Sequence, residues 1–471
     1  MTATRPQRSS LAYFLMVAAG VFLSTMDSSM TNIALPYIME DFGISLAKVQ
    51  WVVLIYLLTV VISLLFWGKI SDRCGKGIFY LIGMAVFSIG ALCCAIAGSF
   101  AVLIAFRFVQ GLGAAMMMAT GAAILRTVAP HDAIGKWLGS LGIATSLGLM
   151  SGPLFGGLLL HSLSWHAIFL VNVPVGAIVV LLGWLFLAGT LPKKKAAEES
   201  LTEAMDWQGA LIWAGVVLMA VLLLNSRKLF SPVIVLAVLF GLAALLGLLY
   251  RVESVKADPF LPLELLQQRF FAIAMTVVAL SFAVLFFVLI LMPLYLKLVV
   301  GLSSDRIGYM MMAVPASLFI VAPLAGRLFD RIGGVYLTSL GLCITGCATV
   351  LLAIIHPGCS LLDIAWRLAL LGCGQSIFLS PNSASVLSRV NVEDTGVTAG
   401  MLATCRNLGM LSGVALVSLL FSFFFTKMSG GATLQSYSPE HMVYFVDAFR
   451  VTLLIGAAIA FVSAALSLAR K

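Results

Sequence analysis

The chain has 471 residues, of which 62% are hydrophobic and only 10% charged, and it carries a formal net charge of +9. No water-soluble fold can hide that much apolar surface, so the composition excludes a soluble enzyme or regulator and fits an all-α polytopic membrane protein. The basic residues gather between apolar stretches rather than on one patch, which argues for membrane orientation and against a nucleic-acid partner.

Apolar runs long enough to cross about 30 Å of hydrocarbon follow one another along the chain. The reading in order is fourteen spans: 12–34, 48–68, 78–98, 101–126, 137–160, 166–188, 207–225, 231–250, 271–296, 305–326, 335–355, 362–386, 396–426 and 445–468. Residues 189–206, rich in Lys and Glu, form the longest charged stretch and follow six spans. A second polar stretch, 251–270, follows two more. The expected organisation is therefore a six-helix bundle (1–188), a cytoplasmic linker (189–206), two additional helices (207–250), a second linker (251–270) and a second six-helix bundle (271–471). Most of the 28 Lys and Arg then fall on the side of both termini, which the positive-inside rule assigns to the cytoplasm. The first apolar stretch is too long for a signal-peptide core and is expected to remain as the first helix.

The octet Gly68-Lys69-Ile70-Ser71-Asp72-Arg73-Cys74-Gly75 recurs 258 positions later as Gly326-Arg327-Leu328-Phe329-Asp330-Arg331-Ile332-Gly333. A charged glycine turn repeated once per half indicates a duplicated bundle, the build of secondary transporters, with the substrate site near mid-membrane between the halves. Arg107 and Arg367 each precede a Gly-x-Gly, Gly111/Gly113 and Gly372/Gly374, and on that spacing are read as equivalents.

These residues resemble the major facilitator superfamily and, within it, the fourteen-helix drug:proton antiporters. The resemblance covers almost the whole chain. Gly68 to Gly75 looks like the loop motif between the second and third helices, Leu103-x-x-x-Arg107-x-x-Gln110-Gly111-x-Gly113 like the fourth-helix motif, and Gly148-x-x-x-Gly152-Pro153-x-x-Gly156-Gly157 like the antiporter motif of the fifth helix. Met26-Asp27-x-x-x-x-Asn32-x-Ala34-Leu35-Pro36 and Trp165-x-x-Ile168-Phe169-Leu170-x-Asn172-x-Pro174-x-Gly176 are similar to signatures of the fourteen-helix exporters. The loop motif departs from the family pattern: Lys76 is followed by Gly77, and the second copy ends Gly333-Gly334 without a basic tail. The resemblance implies a major facilitator fold of two pseudo-symmetric six-helix bundles with two extra helices, a proton gradient in place of a cofactor, and proton coupling through Asp27 and Arg107.

The residues support that chemistry directly. Asp27 is the only acid well inside a span, about 6 Å from its centre, and keeping a carboxylate charged there costs on the order of 2.5–3.5 kcal/mol. A carboxyl group that can take up a proton can exchange it for a cationic or polar solute. Arg107, always charged, would gate that exchange by approaching or leaving Asp27. Gly68, Asp72, Arg73, Gly75 and Lys76, with Asp330 and Arg331 in the second copy, are read as a conformational gate. There Gly68 and Gly75 allow a tight turn and close helix approach, and the charges pair with basic neighbours or face a helix N-terminus. Gly148, Gly152 and Gly156 recur every four residues on one face and admit a close neighbour, while Pro153 removes a backbone donor. For a substrate cavity the candidates are Asn32, Trp51, Tyr56, Phe282, Phe286, Gln375 and Asn382, polar or aromatic side chains on central helices. No metal-ligand spacing is present.

The sequence contains no H-E-x-x-H, no G-x-S-x-G and no nucleotide loop, so neither an enzyme nor an ATP-driven pump is expected. The reading is a proton-coupled antiporter that exports hydrophobic or cationic compounds from a bacterial cytoplasmic membrane, acting as a monomer among lipids. Alternatives are a dedicated exporter of an endogenous lipid, siderophore or antibiotic, an uptake symporter, and a non-transporting receptor. A 100 mV potential supplies about 2.3 kcal/mol per charge and one pH unit about 1.4 kcal/mol. One proton exchanged for a neutral molecule draws on both terms, whereas one exchanged for a monovalent cation draws on the pH term alone.

Overall fold

A computed structural model describes residues 6–128, 134–187, 207–224, 232–256, 263–332, 334–390, 395–432, 434 and 437–470. The expected linker 189–206, and residues 257–262 of the second linker, lie outside the described residues. Those described are almost entirely helical. In chain order they form α1 (Pro6–Asp41), α2 (Leu46–Val49), α3 (Trp51–Cys74), α4 (Lys76–Ala95), α5 (Phe100–Val128), α6 (Ile134–Ser162), α7 (His166–Leu170), α8 (Asn172–Leu187) and α9 (Trp207–Leu224). There follow α10 (Pro232–Glu253), α11 (Leu263–Gln267), α12 (Arg269–Leu298), α13 (Ser304–Met311), α14 (Ala313–Ile332), α15 (Gly334–Ala353), α16 (Leu361–Leu387), α17 (Thr395–Met428) and α18 (Met442–Leu468).

Among the described residues eleven helical stretches are long and apolar enough to cross a membrane, and two shorter apolar ones, Leu147–Ser162 and Trp207–Val221, accompany them. Several expected spans are parts of longer helices. The first, expected over 12–34, lies within the 36-residue α1, which continues through Pro36. The expected span 305–326 is divided, because α13 stops at Met311 and α14 begins at Ala313.

Two groups of helices pack mainly among themselves: α1, α3, α4, α5, α6 and α8, then α12, α14, α15, α16, α17 and α18. Glycines set how closely they approach. A Cβ on Gly83 would stand 3.1 Å from the Gly113 carbonyl oxygen, so α4 and α5 touch backbone to backbone; a Cβ on Gly341 would stand 2.7 Å from the Gly374 carbonyl oxygen, so α15 and α16 do the same. In the same way Gly148 and Gly152 seat α6 on α1, and Gly409 and Gly413 seat α17 on α12. These matched contacts carry the duplication from sequence into backbone geometry. Between the groups, α6 meets α13 and α14, and α17 meets α3. Helix α9 lies against both α3 and α17, with the Trp213 indole donating to the Val61 carbonyl at 3.1 Å.

Gly75 closes α3 with φ +92°, a left-handed value that glycine adopts without strain, and α4 starts at the next residue. Gly68 differs from expectation: among the described residues nothing lies within 4 Å of a Cβ built there. The side chains of Asp72, Arg73, Asp330 and Arg331 lie outside the described residues. Lys76 begins α4 and is partly buried.

Candidate functional site: a buried ion pair in the first helix group

The centre of the first group holds a charged cluster sealed from solvent. Asp27 on α1 is 1% exposed and Arg107 on α5 is 0% exposed, and their Oδ2 and Nη1 atoms are 2.7 Å apart. The other carboxylate oxygen, Oδ1, accepts from Gln110 Nε2 and from Asn172 Nδ2, both at 2.9 Å. Gln110 also accepts from Arg107 Nη1 at 2.7 Å, and Arg107 Nε donates to the Val52 carbonyl at 2.9 Å. The guanidinium carbon lies 4.4 Å from the Tyr56 ring centroid and 5.4 Å from that of Phe169. Four helices, α1, α3, α5 and α8, thus meet at one carboxylate and one guanidinium.

The sequence explains why the cluster assembles. Arg107 and Gln110 are three residues apart on α5 and share a face, so one helix presents both a cation and an amide. Two charges at this depth are tolerated only when paired and hydrogen-bonded, which the amides of Gln110 and Asn172 complete. One Arg107 donor, Nη2, and the Asn172 Oδ1 have no partner among the described residues. These two atoms are hydrogen-bonding capacity that the cluster itself does not use.

The antiporter-motif residues occupy two faces of α6. Gly148, Gly152 and Gly156 face Phe22, Thr25, Met26, Ser29 and Met30 of α1, the helix that carries Asp27. Pro153 and Gly157 face the second group instead: a Cβ on Gly157 would stand 2.8 Å from the Ser304 carbonyl oxygen and 3.0 Å from Gly308 Cα. Helix α6 thus joins the charged cluster to the seam between groups. At that seam's end, where α1 finishes, His161 lies 3.7 Å from Asp305 and Lys297 pairs with Glu40 while sitting 3.9 Å from the Tyr37 ring centroid.

The proposed cavity residues divide. Tyr56 belongs to the ion-pair cluster. Gln375 is 1% exposed and exchanges hydrogen bonds with Ser281, accepting from its hydroxyl at 2.9 Å and donating to its carbonyl at 3.0 Å. Asn382 accepts from Arg470, just beyond α18. Asn32 is buried with its Oδ1 unpartnered, Phe282 and Phe286 are buried on α12, and Trp51 is partly buried at the start of α3.

Two members of the cluster, Gln110 and Asn172, were not singled out from sequence, although each stands inside a quoted motif. Arg367 also departs from expectation. It pairs with Asp363 at 2.9 Å, one turn earlier on α16, and donates to the Leu351 carbonyl at 2.8 Å. Arg107 stands four residues before Gly111, but Arg367 stands five before Gly372. One residue turns the side chain by about 100° around the helix, so the true counterpart of Arg107 is Leu368. Among the described residues no group of three or more His, Cys, Asp or Glu is placed to hold a metal.

The comparisons with known proteins agree with this architecture. The chain is 32% identical over 434 residues to the riboflavin transporter RibZ of Clostridioides difficile, covering 91% of each protein. It is 29% identical to the multidrug resistance protein Stp of Mycobacterium tuberculosis, over 87% of this chain and 75% of that one. The tetracenomycin C resistance and export protein of Streptomyces glaucescens is also 29% identical, with the same coverage. In backbone, the chain is similar to a bacterial homologue of the human lysosomal transporter Spinster, with a TM-score of 0.68 at 16% identity and coverage of 99% and 97%. These relatives are transporters and not enzymes. The family model of the Major Facilitator Superfamily matches residues 17–414, and the chain belongs to that family of membrane transporters.

Proposed function

We propose that this protein is a proton-coupled antiporter of the fourteen-helix, six-plus-two-plus-six type, resident in a bacterial cytoplasmic membrane with both termini inside, that exports hydrophobic organic compounds by alternating access. The observation that carries this reading is the sealed Asp27–Arg107 pair. A proton can reach Asp27 only if the pair opens, because both side chains are closed to water in this state. Protonation removes the carboxylate's charge and with it the attraction that holds α1 to α5. Since α6 is seated on α1 through Gly148 and Gly152 and on α13 through Gly157, a shift of α1 is passed to the seam between the groups. Names among the relatives, a multidrug resistance protein and a tetracenomycin C export protein, support export as the direction.

A second reading, dedicated export of an endogenous heteroaromatic product, is favoured by the similarity to a riboflavin transporter over 91% of each chain. A panel of dyes and heteroaromatic compounds in proteoliposomes with an imposed pH gradient separates the two. Asp27→Asn should abolish gradient-driven transport of every cargo while leaving exchange of internal for external cargo measurable. Undiminished pH-driven transport by that variant would overturn the coupling role.

A further inference from the structure

The second helix group contains an arginine that the ion-pair mechanism does not use. Arg406 lies on α17, eleven residues from its start, inside the membrane-crossing stretch Gly400–Met428. Its guanidinium carbon lies 6.0 Å from the ring centroid of Phe282 on α12. No carboxylate pairs with it among the described residues. The only described acid deep in a span, Asp27, is already engaged by Arg107, Gln110 and Asn172.

The surroundings place this cation on an internal space. Gly409 and Gly413 face α12, and Arg406 is one and two turns from them on the same side of α17. No residue of α17 from Gly400 to Phe425 is exposed, so this helix does not present a lipid-facing flank there. Arg406 is partly buried and stands on the α12 side of a helix with no exposed residue over this stretch, so its guanidinium borders an internal space and not the outer surface. The glycine contacts make Thr145 of α6 its counterpart, since Gly148 matches Gly409 and Gly152 matches Gly413. The charge is thus a departure from the duplication.

An unpaired guanidinium at this depth costs on the order of 2.5–3.5 kcal/mol. It repels a cation and supplies several uncommitted N–H donors in a planar fork that fits a carboxylate, sulfonate or phosphate. The Phe282 ring beside it is buried, so the guanidinium and not the ring is the group open to a solute. We propose that Arg406 is a substrate-binding residue that receives an anionic group of the cargo. The proposal deepens the transporter reading by naming a cargo class: organic compounds that carry an acidic group.

The test is equilibrium binding to the purified full-length protein in nanodiscs of phosphatidylcholine, with no gradient. Fluorescein and rhodamine 6G share a xanthene core but are anionic and cationic respectively, and fluorescence anisotropy reads both. Fluorescein should bind at least about tenfold tighter than rhodamine 6G, and Arg406→Gln should lose about tenfold for fluorescein alone. Arg406→Lys should recover most of the loss. The thermal unfolding transition of each variant verifies folding. Equal affinity for the two dyes, or an Arg406→Gln variant that retains fluorescein binding, would overturn the proposal. Failure of fluorescein binding with Arg406-dependent retention of phosphatidylglycerol in mixed nanodiscs would also overturn it, by assigning the anion to a lipid headgroup. Because no gradient is applied, these outcomes are independent of the Asp27→Asn transport result.

Discussion

The two helix groups share a backbone plan but not a chemistry. Matching glycine contacts align Asp27 with Val284, Arg107 with Leu368 and Gln110 with Leu371, and all three second-group counterparts are fully buried. Where the first group holds a charged cluster, the second holds aliphatic packing, and its nearest polar feature is the neutral Gln375–Ser281 pair. The symmetry is one of shape, imposed by glycine-mediated approach. A second charged cluster would add another buried pair with its own desolvation cost.

The largest effect that would sharpen this contrast is expected at Arg107. Arg107→Ala leaves Asp27 buried without its cation and should destabilise the protein by about 3–5 kcal/mol, read as a fall in the midpoint of thermal unfolding in detergent. Asp27→Asn combined with Arg107→Ala should recover part of that loss; an additive double variant would show that the pair is not coupled. Next in size, Gly152→Val forces side-chain atoms into Ser29 and the α1 backbone and should cost about 1–3 kcal/mol by overpacking. Gly413→Val, its counterpart against Ala283, should cost the same if the groups are alike in shape. Gln375→Leu removes two hydrogen bonds to Ser281 and should cost about 1–3 kcal/mol, leaving proton coupling in the liposome assay intact. Smallest is Arg367→Ala: its i,i+4 pair with Asp363 should be worth under about 1 kcal/mol. A loss at Arg367 as large as that at Arg107 would break the comparison, since it would make the two arginines functional equivalents after all.

Much of this was legible in the sequence for identifiable reasons. Asp27 stands out because a carboxylate in an apolar run is costly to keep charged, and the α6 glycines because a four-residue spacing puts them on one face of a helix. Arg367 misled because counting from an octet does not register the extra residues between α15 and α16. Gly83 and Gly341 are 258 positions apart, whereas Gly113 and Gly374 are 261 apart. Gln110 and Asn172 were visible as motif letters, but their convergence on one carboxylate depends on how α5 and α8 cross α1. The Asn382–Arg470 contact joins residues 88 positions apart with no shared pattern, so only the fold reveals it. Gly68 shows the reverse error: a glycine in a recognised motif need not mark a close approach.

Helix α9 stands over one of the two seams between the groups, resting on α3 and α17 and pinned by Trp213 to the Val61 carbonyl. Among the described residues the opposite seam, where α6 meets α13 and α14, has no such cover. An amphiphile dissolved in the bilayer therefore meets two unlike walls. On one side it reaches helix α9, and on the other the glycine-lined joint itself, the flank where α6 bears on α1, the helix that carries Asp27.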